Sequence, residues 1–169
     1  MGTIISSTPP AKILSIFKVD GFTAITGTTA NTLTGSVLIP ANTTTTDGMG
    51  VAELTARAIK TGVAGIATLR VYANTTDNLT GAILLATGAV ATGADLYQQL
   101  ERTMFIAKAP IYTKVASTTF DLYSDNNKAT AESTVVVDWS QNQFIILAIQ
   151  NASALDTSTG SGIIFKIYK

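Results

Sequence analysis

Between Ile66 and Ala73 the chain alternates without a break. Ala67, Leu69, Val71 and Ala73 fall on one side of an extended backbone, and Ile66, Thr68, Arg70 and Tyr72 fall on the other. On a helix both sets would scatter around the axis, so this stretch admits a half-buried strand and little else. It sits inside a longer segment, Val51 to Ala86, that reads as a strand, a Gly-bearing turn (Lys60-Thr61-Gly62-Val63-Ala64-Gly65), the alternating strand, a polar turn from Asn74 to Gly81, and a third strand. Turns of that composition between apolar runs are hairpin signals. The segment therefore predicts a β-meander from which the rest of the chain is built outward.

The flanking sequence reads the same way. Lys12 to Val19, Phe22 to Thr26 and Gly35 to Pro40 are short strands, with Gly27 to Thr34 as a Thr/Asn/Gly connection. Tyr97 to Ala107 is ambiguous. Leu96, Leu100 and Met104 have helical spacing, yet Leu100, Arg102, Met104 and Ile106 alternate against Gln99, Glu101, Thr103 and Phe105, and the neighbours favour a strand. A long loop from Pro110 to Thr134 holds a weak strand at Thr118 to Tyr123 and a polar excursion, Ser124 to Lys128. Strands at Ser133 to Trp139, Gln143 to Asn151 and Gly162 to Tyr168 close the chain. In Ser133 to Trp139, Val137 and Trp139 share a face, which places the tryptophan in the core. The recurring Thr-Gly pairs at Thr26, Thr61, Thr80, Thr87 and Thr92 are irregularly spaced and read as turns rather than as a repeat.

About ten strands without a helix predict an all-β fold, a two-sheet antiparallel sandwich of jelly-roll type over residues 12–169. Residues 1–11 precede it as an extended N-terminal arm, because Pro9 and Pro10 forbid a helix or a central strand. Docking of that arm on a neighbouring subunit, through Pro9 and Pro10, is one expectation, and packing on its own domain is the other.

Composition limits the function. Charged residues make up 13% of the 169 residues, about half the usual share, while 46% are hydrophobic. Eleven basic residues balance 11 acidic ones. A nucleic-acid surface needs a basic excess, which is absent, so no nucleic-acid partner is expected. Without Cys or His there are no disulfides, no Cys/His metal sites and no His- or Cys-dependent triads. The N-terminus carries no secretion signal, and the longest apolar runs, such as Phe144 to Ile149, are too short to span a bilayer, so cytoplasmic synthesis and no membrane partner are expected.

Chemistry-bearing groups are few. The carboxylates Asp121, Asp125 and Glu132, and separately Asp95 and Glu101, are the candidates for a glycosidase pair. Asp121, Asp125, Asn126 and Asn127 offer oxygen ligands to calcium but lack the spacing of a calcium loop. No catalytic residue, no cofactor and no metal are expected. For receptor or glycan contact the candidates are Tyr112, Tyr123, Asp125, Asn126 and Asn127 around the long loop. The sequons at Asn42, Asn74, Asn78 and Asn151 follow from a composition rich in Asn and Thr.

Several segments together resemble a known group. They are Ile39-Pro40-Ala41-Asn42, Glu53 through Lys60, Thr61-Gly62-Val63-Ala64-Gly65, Ala67-Thr68-Leu69-Arg70-Val71-Tyr72, Asn74-Thr75-Thr76 and Leu79-Thr80-Gly81-Ala82. Val137-Asp138-Trp139, Gln143-Phe144-Ile145-Ile146-Leu147 and Gln150-Asn151-Ala152-Ser153 continue the pattern. It resembles β-rich virion proteins of tailed bacteriophages, most like those of crAss-like and related phages of Bacteroidetes. The resemblance begins near Ile39 and leaves the Pro-Pro arm outside. It implies a jelly-roll knob, usually a homotrimer, worn as a capsid decoration or at a head or tail fibre, located in the virion and joined to other virion proteins. The matched residues are strand and turn formers, so no site residue is carried over. A host-surface or carbohydrate-binding adhesin without catalytic activity is the alternative.

Overall fold

The computed structural model of the chain describes residues 13–43, 50–62, 64–89, 97–107, 112–115 and 133–168. The arm, with Pro9 and Pro10, lies outside these residues. Among the described residues there are eleven strands, β1 (Ile13–Lys18), β2 (Ala24–Ile25), β3 (Thr32–Ile39), β4 (Gly50–Thr61), β5 (Ala67–Asn74), β6 (Ile83–Ala89), β7 (Tyr97–Ala107), β8 (Tyr112–Val115), β9 (Ser133–Val136), β10 (Gln143–Asn151) and β11 (Thr157–Tyr168). Among the described residues there is no helix.

The strands form two antiparallel sheets packed as a sandwich. The larger has the order β1-β11-β4-β7-β8-β9, with β2 also on β11, and the smaller has the order β3-β10-β5-β6. The pairs nest: β5 lies against β6, β4 against β7, β3 against β10, and β1 against β11. This is one long hairpin rolled up, and β11·β4 and β10·β5 form where the roll closes on itself.

One expectation is overturned. β4 and β5 do not pair as a meander; they belong to different sheets, and Gly62 to Ile66 carries the chain across the sandwich. Of the three meander strands, β5 and β6 pair as a hairpin. A glycine turn between two alternating strands serves a hairpin and a sheet-to-sheet crossing equally well. Partners far along the chain decide: β4 finds β7 on one side and β11 on the other, leaving no edge for β5.

The core lies between the sheets. Ala52, Leu54, Ala56 and Ala58 of β4 face Ala67, Leu69, Val71 and Ala73 of β5 across it, with Ile145, Leu147 and Ile149 of β10 and Ile163, Phe165 and Ile167 of β11. Trp139 is buried as expected, and its ring lies 5.9 Å from that of Phe165. Truncating a buried aromatic such as Phe165 to alanine costs about 3–5 kcal/mol.

Several boundaries move for physical reasons. β7 is a strand over its full length, because Leu100 and Met104 face the core while Glu101 and Thr103 face out. β11 starts at Thr157, five residues before the apolar run, because its polar half pairs with β2 and the end of β4. The segment expected to open a long loop instead forms β8 at Tyr112 and pairs with β7 and β9, while the weak strand at residues 118–123 lies outside the described residues. Gly88, read as a turn, sits inside β6, where a Cβ would be 3.0 Å from Leu100 Cδ1. It is a close approach between sheets. The Thr-Gly pairs at Gly27, Gly62 and Gly81 are turns, each with positive φ.

Candidate functional site

Of the sequence candidates, Tyr112 opens β8, opposite Ala107 and Val136. Tyr123, Asp125, Asn126 and Asn127 lie outside the described residues, as do Asp121, Glu132 and Asp95. Glu101 is described, and it belongs to a surface that loop-centred reasoning missed.

That surface is the outer face of the larger sheet. Along β4, the residues between the core alanines and leucine are Val51, Glu53, Thr55 and Arg57, all pointing away from the core. In register, Glu53 faces Lys166 of β11 on one side and Thr103 of β7 on the other, and Thr55 faces Glu101. Glu53 and Glu101 are thus diagonal neighbours on one face, at a typical Cα spacing of about 7–8 Å. A cleft of about 400 Å³ opens here, lined by Glu53, Thr55, Glu101, Thr103 and Lys166, with Leu54 and Arg102 completing it; the Arg102 guanidinium donates to the Glu101 and Thr87 carbonyls.

Both carboxylates are held. Tyr168 Oη donates to Glu53 Oε2 at 2.7 Å. Gln99 Nε2 donates to Glu101 Oε1, and Gln99 is itself held by Arg57, whose Nε donates to Gln99 Oε1 at 2.7 Å. The hydrogen bond to Glu53, then desolvation, then the negative charge of Glu53 raise the Tyr168 hydroxyl above its ordinary pKa. The chemistry on offer is therefore two oriented carboxylates, one ammonium and two threonine hydroxyls, with the Tyr168 phenol holding one of the carboxylates.

The outer face of the smaller sheet is its opposite in character. Its four strands contain one charged residue, Arg70. That guanidinium is engaged by Gln150 Oε1 at 2.7 Å and Asn31 Oδ1 at 3.4 Å, and Asn31 Nδ2 also donates to Tyr72 Oη at 2.9 Å. Beyond this cluster the face is uncharged, with Ser36, Thr68 and Asn74 among its apolar residues. Leu38 pairs with Phe144, and Ile146 pairs with Tyr72, which pairs with Leu84. Leu38 is 43% and Leu84 44% exposed, while Ile146 between them is fully covered by its neighbours.

A third constellation sits inside, where the β4–β5 crossing meets the β10–β11 connection. Lys60 Nζ lies 3.6 Å from Asp156 Oδ2, with the side chains 2% and 0% exposed. Lys60 also donates to Gly65 O, and Ala64 N–H donates to Asp156 Oδ1 at 3.1 Å. Asp156 Oδ2 has no hydrogen bond among the described residues and relies on the ammonium. Gly62, at φ 96°, passes so close that a Cβ would collide with Asp156 Oδ1. Asn151 extends the network, donating to the Asp156 carbonyl at 3.2 Å and accepting from Ser158 Oγ at 2.6 Å. This burial also closes the sequon at Asn151 to modification. The cluster is a staple between two loops.

No family model matches the chain, and no curated protein matches it. Among solved structures it is similar to the CBM2 module of the evolved Dit of Lactobacillus casei BL23 phage J-1, at 10% identity. The superposition covers 78% of this chain and 67% of that chain, with a TM-score of 0.35. At that score the function has to be argued from this chain's own residues.

Proposed function

We propose that the chain is a structural subunit of a tailed-phage virion, a capsid decoration or a head or tail fibre knob that assembles as a homotrimer and has no catalytic activity. The observation that carries this reading is the segregation of charge: the smaller sheet has one charged residue in four strands and presents Leu38, Phe144 and Leu84 on an open face. Copies of such a face meet with little charge to desolvate, its one guanidinium being already engaged by Gln150 and Asn31, which favours self-association. The sequence resemblance to phage virion proteins points the same way. The proposed attachment to other virion proteins uses residues 1–11, outside the described residues.

Native mass spectrometry of the purified chain at micromolar concentration tests this. The expected result is a trimer. A monomer removes the assembly reading, and a dimer replaces threefold closure with isologous pairing.

A second reading is supported by a separate observation, the polar cleft on the larger sheet. A host-surface adhesin needs a site with oriented hydrogen-bonding groups, and the cleft provides one on the opposite side from the apolar face. The two readings are compatible, since a knob that assembles through one sheet leaves the other free.

A further inference from the structure

We propose that the cleft over β11, β4 and β7 binds a neutral polyhydroxylated ligand, the hexose unit of a glycan, with Glu53, Glu101 and Lys166 as its hydrogen-bonding residues. This inference rests on the adhesin reading and deepens it by naming the site and the ligand class.

The argument starts from what the lining accepts. Each carboxylate has one oxygen already used, Glu53 Oε2 by Tyr168 and Glu101 Oε1 by Gln99. The other oxygen of each has no hydrogen bond among the described residues. Lys166 stands directly across from Glu53, yet the ion pair within 4.0 Å among the described residues is the buried Lys60–Asp156 pair, and Lys166 keeps its donors. The cleft thus holds free acceptors and free donors side by side, with the hydroxyls of Thr55 and Thr103 between them.

A ligand matched to that set must donate and accept within a few ångströms. Hydroxyl groups on adjacent ring carbons do both. Two carboxylates against one ammonium select against an anion, and Lys166 supplies a donor that a neutral polyol can accept from and a cation cannot. The carboxylates are also preorganised: their second oxygens are fixed by Tyr168 and by the Arg57–Gln99 relay, so little ordering is lost when a sugar binds. Tyr168, whose hydroxyl holds Glu53, is a half-buried aromatic next to that carboxylate. A volume of about 400 Å³ accommodates one or two pyranose rings.

The test is titration of the full chain, followed by amide NMR shifts, with a panel of neutral mono- and oligosaccharides alongside glucosamine and glucuronate. The expected result is saturable millimolar binding of a neutral saccharide, with shifts centred on β4, β7 and β11. Glu53→Gln and Glu101→Gln each weaken it about ten- to a hundredfold, the value of one charge-assisted hydrogen bond. Asp77→Asn, in the β5–β6 turn, leaves it unchanged. Binding that ignores both cleft variants overturns the cleft assignment while the adhesin reading stands. Failure of every saccharide to bind at millimolar concentration overturns both and leaves the assembly reading untouched. Tighter binding of glucosamine or glucuronate than of any neutral sugar overturns the ligand class. Hydrolysis of an oligosaccharide overturns a purely binding role.

Discussion

Replacing Lys60 with methionine removes one charge and keeps most of the packed stem. In the native protein Asp156 is fully buried and has two partners, the Ala64 N–H at 3.1 Å and the Lys60 ammonium at 3.6 Å. Without the ammonium, a carboxylate stays in a dry site on one backbone hydrogen bond, and Oδ2 has nothing. Breaking a buried pair in this way costs about 3–5 kcal/mol. At this chain length each kcal/mol moves the melting temperature by about 2–4 °C, so the shift is roughly 6–20 °C. Adding Asp156→Asn to Lys60→Met removes the orphaned charge and recovers a large part of the loss. Urea denaturation at neutral pH measures both, at one fixed protein concentration so that assembly does not shift the comparison. High salt leaves the loss in place, since a buried pair is screened little. A Lys60→Met loss below about 1 kcal/mol, the range of exposed pairs, refutes the staple.

The other expectations are narrower. Gly62→Ala combines positive φ with a collision against Asp156, and is expected to cost about 1–3 kcal/mol in the same denaturation assay. Gly81→Ala has positive φ but open space around it, so it costs less, and equal losses refute the close-approach argument. The folded-state pKa of Tyr168 lies above the unfolded value of about 10.0, so its bond to Glu53 stabilises fully below that value and is lost as pH rises through the folded one. Tyr168→Phe should therefore remove a phenol that titrates above the ordinary value in an alkaline absorbance titration, and an unchanged curve refutes this. Asp138 goes the other way: hydrogen bonds from the Ser140 hydroxyl, the Gln141 amide and the Ser140 N–H hold its carboxyl below the ordinary 3.8. Its contribution is present above that value and fades as pH falls through the folded one. The stability gap between wild type and Asp138→Asn should close on acidification, and a constant gap refutes it.

How much of this was legible in the sequence depends on the range of the interaction. The faces of β5 and the burial of Trp139 follow from period-two alternation, which is local. The separation of β4 from β5 is not local: it depends on β11 pairing with Glu53 and its neighbours from more than a hundred residues away. The cleft was missed for the same reason. Glu53, Glu101 and Lys166 each look like an ordinary exposed strand residue, and only the register brings them together. The alternation of Val51, Glu53, Thr55 and Arg57 against Ala52, Leu54, Ala56 and Ala58 was visible, and it marks the outward face without naming its partners. Gly88 shows the limit of composition: a Thr-Gly pair that reads as a turn is spacing for Leu100 across the core.

The central claim is that the outer face of the smaller sheet, with Arg70 as the one charge in its four strands, is the assembly surface. Sedimentation velocity on the wild type and on the Leu38→Glu/Leu84→Glu variant, with circular dichroism to check that both keep the sheet, tests it most directly. Both leucines are over two-fifths exposed, so the substitutions leave the fold intact and put two charges on the face. The account predicts a wild-type trimer and a folded, monomeric variant. A folded variant that remains trimeric, or a wild type that sediments as a monomer, contradicts it.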